Sequence, residues 1–140
     1  MMNYKVYQSR LTDAEVEKVN AEGHDSVPKQ MRRLNLSMVY NKTDAEKVEM
    51  VAEAWSAEDF DHVANVTGNC LEDVFCATNA PNMERFVERL APMHSLSVGD
   101  VVQDDEGRLH LCDTAGFLAL DFQTRVNRGE LEPVFGGWGS

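Results

Sequence analysis

Apolar residues recur at two different spacings along this chain. Near the start, Lys5-Val6-Tyr7-Gln8, following Tyr4, is a short β-prone run. The spacing then becomes helical. Thr12-Asp13-Ala14-Glu15 fits a capping box, in which the Thr hydroxyl accepts from the third amide and the Glu bonds back. Leu11, Val16 and Val19 form a thin apolar stripe, and Gly23 is a stop signal, so a helix is predicted over 12–21. Thr43-Asp44-Ala45-Glu46 repeats the box. Val48, Val51, Ala52 and Trp55 follow at i, i+3, i+4, i+7 and predict an amphipathic helix over 44–55. Between the two boxes, Leu34, Leu36, Met38, Val39 and Tyr40 partly alternate, which is a strand pattern.

Phe60 to Val66 mixes β-branched and aromatic residues and reads as a strand. Gly68-Asn69 marks a turn, and Leu71, Val74, Phe75 and Thr78 a short helix near 70–78. Pro81-Asn82 restarts a helix carrying Met83, Phe86, Val87 and Leu90, which Pro92 ends. The last third changes character. Leu96-Ser97-Val98 leads through Gly99-Asp100 into Val101-Val102, an acidic loop runs from Gln103 to Gly107, and Leu109 and Leu111 alternate with His110 and Cys112. Thr114-Ala115-Gly116 then turns into Phe117 to Phe122. The pattern predicts an α+β fold, with N-terminal helices packed on a small, mostly antiparallel sheet from the C-terminal third. One domain over 1–135 and a flexible tail at 136–140 suit 140 residues, of which 43% are apolar.

His94-Ser95-Leu96-Ser97-Val98-Gly99-Asp100-Val101-Val102 is the most distinctive string. Taken with Leu71-Glu72-Asp73-Val74-Phe75, the later Asn79 and the closing Gly116-Phe117, it resembles the signature of the YodL-like domain. The resemblance covers roughly residues 60–121 and weakens over Tyr4 to Val19. It departs from the commoner pattern at Asp113-Thr114-Ala115. YodL-like domains occur in phages, plasmids and integrative elements, so the resemblance implies an accessory protein of a mobile element acting in a host cell. It brings no catalytic residue with it. Read from the residues alone, Gly99 permits a positive-φ turn and Asp100 can bond its own turn amides. Leu96, Val98 and Val101 are then expected to point inward, with Ser95 and Ser97 pointing the other way.

Charge adds a second theme. The chain carries 24 acidic and 13 basic side chains, a net −11, which disfavours direct binding to nucleic acid. The charge is uneven. Residues 44–61 hold seven acids and one base, whereas Lys29, Arg32, Arg33 and Lys42 stand with no acid between them. Glu46, Glu49 and Glu53 fall on one helical face, opposite Val48, Val51 and Trp55. Their spacing of about 5–6 Å is sparser than the one charge per roughly 1.7 Å of duplex DNA, so one helix cannot imitate a duplex alone. The leading expectation is therefore a non-enzymatic protein that docks a host protein with a basic surface. Its contact residues would be Glu46, Glu49, Glu53, Asp59 and the loop acids Asp104, Asp105 and Glu106. The basic set would pair with this stripe, within the chain or between copies.

The competing expectation is a small-ligand site, nucleotide-like or enzymatic, centred on the 94–100 turn and formed by His94, Ser95, Ser97, Asp100 and Phe117. The triad residue types are present, but neighbours on a strand face opposite sides, and there is neither a G-x-S-x-G elbow nor a Gly-rich phosphate loop. Self-assembly through Trp55, Phe86 or Trp138 is a third reading. No metal site or cofactor is expected. His110 and Cys112 share a strand face, but no second ligand pair exists, and Cys70 and Cys76 lie about 120° apart on a helix. Three cysteines at no framework spacing, with no signal peptide or membrane span, point to a reducing cytoplasm.

Overall fold

A computed structural model describes residues 1–114 and 116–120. The elements, in chain order, are β1 (Met2–Ser9), α1 (Asp13–Glu22), a 3-10 turn (His24–Ser26), α2 (Pro28–Ser37), α3 (Asp44–Ser56), β2 (Phe60–Gly68) and α4 (Leu71–Asn79). A second 3-10 helix (Pro81–Phe86), β3 (Val87–Arg89), β4 (Val101–Gln103), β5 (Leu109–Asp113) and β6 (Gly116–Leu120) follow. The strands form one antiparallel sheet in the order β3-β2-β1-β4-β5-β6, so the fold is α+β.

The sheet is not confined to the C-terminal third. β1, from the extreme N-terminus, lies in its middle, between β2 and β4. It pairs with β2 from Met2 opposite Gly68 to Ser9 opposite Phe60, with a register shift between Val6 and Tyr7. The central position follows from burial on both faces. Tyr4, Val6, Ala64, Val66, Val102 and Cys112 join Val74 and Ala77 of α4 in one core. Val101, Leu109 and Leu111 join Leu36 of α2 and Val51, Ala52 and Ala54 of α3 in the other. The adjacent residues Val101 and Val102 thus serve opposite cores, as the two-residue period of a strand requires.

Both capping boxes form. Thr12 with Glu15, and Thr43 with Glu46, exchange side-chain and backbone hydrogen bonds in both directions. α1 buries no side chain, and Val16 is 42% exposed, as its thin stripe foreshadows. Two other expectations are corrected. Leu34 and Leu36 belong to α2, which starts with Pro28 at its N-terminal turn, a position where the missing amide costs nothing. The helix expected after Pro81 shrinks to a 3-10 turn, because Val87 pairs with Val66 and extends the sheet beyond β2. Phe122, the 136–140 tail and the domain end at 135 lie outside the described residues.

Gly99 joins the 94–100 turn to α2. Its φ is +99°, and a Cβ there would stand 3.2 Å from the Leu36 carbonyl oxygen. Gly116 also has a positive φ, +125°, but has open space around its Cα. Gly99→Ala therefore adds a steric conflict to the strain of about 1–3 kcal/mol that both positions share. Gly99→Ala is expected to lower the thermal midpoint by several degrees more than Gly116→Ala, measured by circular dichroism melting.

Candidate functional site

The string from His94 to Val102 is held by hydrogen bonds from four directions. Leu96 is buried, and its amide donates to Thr78 Oγ1 at the end of α4 at 3.1 Å. The Asn79 side-chain amide reaches the Leu96 carbonyl at 3.4 Å. Leu96 is thus fixed to α4 rather than to a neighbouring strand, and residues 92–97 lie outside the sheet. The Asp100 amide donates to the Ser97 carbonyl, and Asp100 Oδ2 accepts from the Ser97 amide at 2.9 Å. The Gly99 and Cys112 amides close the turn onto β5 by bonding the carbonyls of Cys112 and Asp100.

Asp100 is the chemical centre of this turn. It is 5% exposed. From β1, Gln8 Nε2 donates to Asp100 Oδ2 at 3.1 Å and to the His94 carbonyl at 2.9 Å. His94 Nδ1 lies 3.8 Å from the same Oδ2 and donates to the Ser95 carbonyl at 2.7 Å. Burial pushes the Asp100 carboxyl up to about 6, against the lowering effect of the Ser97 amide, His94 and Gln8. His94, Ser97 and Asp100 line a cavity of about 170 Å³ with Ser9 of β1 and Arg33, Leu34, Leu36 and Ser37 of α2. Ser95 and Phe117 do not line it, and Phe117 instead borders an apolar groove beside Phe75 and Cys76 of α4. The cavity is smaller than the roughly 300–1,000 Å³ of drug-sized ligand pockets.

The acidic residues are divided by the fold. Glu46, Glu49 and Glu53 are exposed on the outer side of α3, opposite the buried Val51. Asp59 is not part of that surface. It is 2% exposed and is held in a two-pronged pair by Arg32 Nε and Nη2. Asp104 is turned inward as well. Its Oδ1 accepts from the Glu106 and Arg108 amides, each at 2.9 Å, and its Oδ2 meets His110 Nε2 at 2.9 Å. Burial alone would raise the Asp104 carboxyl, but these bonds outweigh it and hold it below its ordinary value. Asp105 and Glu106 remain exposed, with Glu106 paired to Arg108 at 2.8 Å. Asp104 and Asp105 border a groove of about 640 Å³ over Asn3, Lys5, Asn65 and Thr67, whose lining includes none of the α3 acids.

Three of the four residues of the basic segment have partners within the fold, and Lys42 is exposed with its charge near the Glu46 carboxylate. Arg32 takes Asp59, Lys29 lies 4.0 Å from Glu15 of α1, and Arg33 bonds the Ser9 carbonyl and Gln30. Trp55 packs edge-on to Tyr7 with ring centres 5.1 Å apart and tilts against Phe60 at 5.7 Å, while Phe86 packs against the α4-side core. Both are therefore engaged inside the subunit, and Trp138 lies outside the described residues. His110 is committed to Asp104 and Cys112 is buried in the core, so the pair that shared a strand face serves structure. Gln8, Thr78 and Lys47, which bonds Asp113 at 2.7 Å, are polar residues that periodicity did not single out. Gln8 was visible in principle, because it continues the inward phase of Tyr4 and Val6.

Among the described residues no helix is long and apolar enough to cross a membrane. Compared with protein-family models, curated proteins and solved structures, the chain has no match in any of the three.

Two outcomes follow for the turn. A buried carboxyl whose folded value lies above its unfolded one stabilises the fold when protonated. That contribution is complete below the ordinary value of 3.8 and is lost as the pH rises through about 6. Wild type is expected to lose about 3 kcal/mol of stability from this source between those limits. Asp100→Asn should flatten the loss in urea titrations at a series of pH values. Thr78→Val keeps the shape but strands the buried Leu96 amide, and is expected to cost about 1–3 kcal/mol in the same assay.

Proposed function

We propose that this chain is a non-enzymatic accessory protein of a phage or other mobile element, and that it acts in the host cytoplasm by docking a host protein with a basic surface. The observation that carries the reading is the exposed carboxylate stripe Glu46, Glu49 and Glu53 on α3, whose opposite side is spent on the core. The resemblance of residues 60–121 to the YodL-like domain supports the mobile-element setting. Fixed like charges on a rigid helix raise the rate of encounter with a basic partner more than they raise affinity. Asp105 and Glu106 add charge at a second place, whereas Asp59 and Asp104 are held by internal partners and have no part in docking.

The test separates docking from folding. Glu46 also caps α3, so it is changed to Gln, which retains the capping geometry. Glu49 and Glu53 are changed to Lys. The triple variant is expected to melt within a few degrees of wild type. In cross-linking and mass spectrometry from host lysate, it should lose the basic protein that wild type captures by about tenfold or more. Raising the salt should weaken the wild-type capture in parallel. Equal capture by both proteins refutes the docking face.

A further inference from the structure

The cavity beside the 94–100 turn carries fixed groups of opposite sign that do not pair with each other. Arg33 lines it. Its Nε donates to the Ser9 carbonyl at 2.8 Å and its Nη1 to Gln30 Oε1 at 2.7 Å, which fixes the plane of the guanidinium. Its Nη2 donates to no group among the described residues. Asp100 lines the cavity too: its Oδ2 takes Gln8 and the Ser97 amide, and the Ser97 side chain also bonds the carboxyl, but no Arg or Lys pairs with it among the described residues. Leu34, Leu36 and Val98 supply the apolar part of the lining.

Two buried polar atoms nearby also lack partners among the described residues, Gln8 Oε1 and Ser9 Oγ, and of these two residues Ser9 lines the cavity. Gln8 is fully buried. Its amide cannot simply be turned over, because Oε1 would then face the His94 carbonyl and the Asp100 carboxylate. A buried polar atom left without a partner is costly, and so is a buried carboxylate with no Lys or Arg within 4.0 Å among the described residues, the His94 imidazole lying 3.8 Å away. A ligand that offers an acceptor to the Ser9 hydroxyl and a donor to the Asp100 carboxylate answers both needs.

From this arrangement we infer that the cavity is a binding site for a small zwitterion of the α-amino-acid class. The ligand carboxylate accepts from Arg33 Nη2 and Ser9 Oγ. The ligand ammonium donates to the Asp100 carboxylate. A short side chain lies against Leu34, Leu36 and Val98. The size of the cavity, about 170 Å³, sets the limit. An engineered cavity of about 150 Å³ holds benzene, so roughly six to eight non-hydrogen atoms fit. Alanine, serine and valine meet that limit, and tryptophan does not. The inference is independent of the docking face on α3, since neither uses a residue of the other.

The test is a two-dimensional ¹H–¹⁵N NMR titration of the full chain with alanine, serine and valine up to tens of millimolar. Tryptophan, acetate and methylammonium serve as comparisons. Alanine is expected to give saturable shifts centred on the amides of Ser9, Ser97, Gly99 and Asp100. Acetate and methylammonium, each offering half of the zwitterion, should bind about tenfold more weakly or worse. Arg33→Gln should weaken alanine binding by about tenfold. Ser9→Ala, which removes only a hydroxyl and keeps the carbonyl that Arg33 uses, should weaken it severalfold while the rest of the spectrum is retained. Three results each overturn the inference. These are no saturable shift with any of the small amino acids, acetate matching alanine (an anion site only), or shifts that map away from the turn.

Discussion

A carboxylate costs several kcal/mol to withdraw from water unless hydrogen bonds replace its hydration, and Asp100 is withdrawn at the point where four parts of the chain converge. One donor comes from β1, through Gln8, and one from the turn itself, through the Ser97 amide. The Asp100 carbonyl and the Gly99 amide bond β5, and Gly99 presses against the Leu36 carbonyl of α2. The Gln8 bond requires β1 to be next to β4. The N-terminal strand therefore belongs in the middle of the sheet, although its partners are sixty and a hundred residues away in sequence.

A sheet with a core on both faces places a second demand on its strands. They cannot show the apolar-in, polar-out alternation of a one-faced sheet, because both phases are buried wherever helices cover both sides. Val101 and Val102 point to opposite cores, as do Leu111 and Cys112. β1 shows a mixed case. Tyr4, Val6 and Gln8 occupy the inward phase toward α4, while Lys5 is exposed and Tyr7 packs against Trp55. Gln8 is a polar residue in an otherwise apolar phase, and the turn explains it. The position needs a donor for Asp100, and a residue of similar volume without one would leave the carboxylate short of a bond.

This division explains what was legible before the structure. Capping boxes are local, and both appeared as read, because Thr12 and Glu15, or Thr43 and Glu46, need only each other. The α3 stripe was legible for the same reason, since a clear 3.6-residue period shows which side is outside. Pairing that spans many residues was not legible. Nothing local marks β1 as the strand that joins β2 to β4. Val87 belongs to the helical spacing of Met83, Phe86, Val87 and Leu90, yet its backbone is claimed by β2. The site residues show the same limit. His94, Ser97 and Asp100 share a wall because the turn is short, whereas Ser9, Arg33 and Gln8 reach them only through the tertiary fold. Phe117 fails to join them because β6 lies at the far side of β5 from β4.

Charge obeys the same rule of local against distant partners. An acid can be assigned to a surface from sequence only if no base reaches it through the fold. Asp59 looked equivalent to its neighbours on the exit of α3, but Arg32, twenty-seven residues earlier, encloses it with two hydrogen bonds. Asp104 looked equivalent to Asp105 and Glu106, but its carboxylate reaches two turn amides and His110 together. Once those are removed, the carboxylates left in water on α3 are Glu46, Glu49 and Glu53 with Asp44 at its start, of which only Glu46 has a capping duty. Glu49 and Glu53 contribute nothing to either core, so their charge is free to be selected for an encounter. By contrast, the charges around the 94–100 turn are tied to the packing of β1 and α2. Altering them disturbs the fold first, which is why the two surfaces call for different experiments.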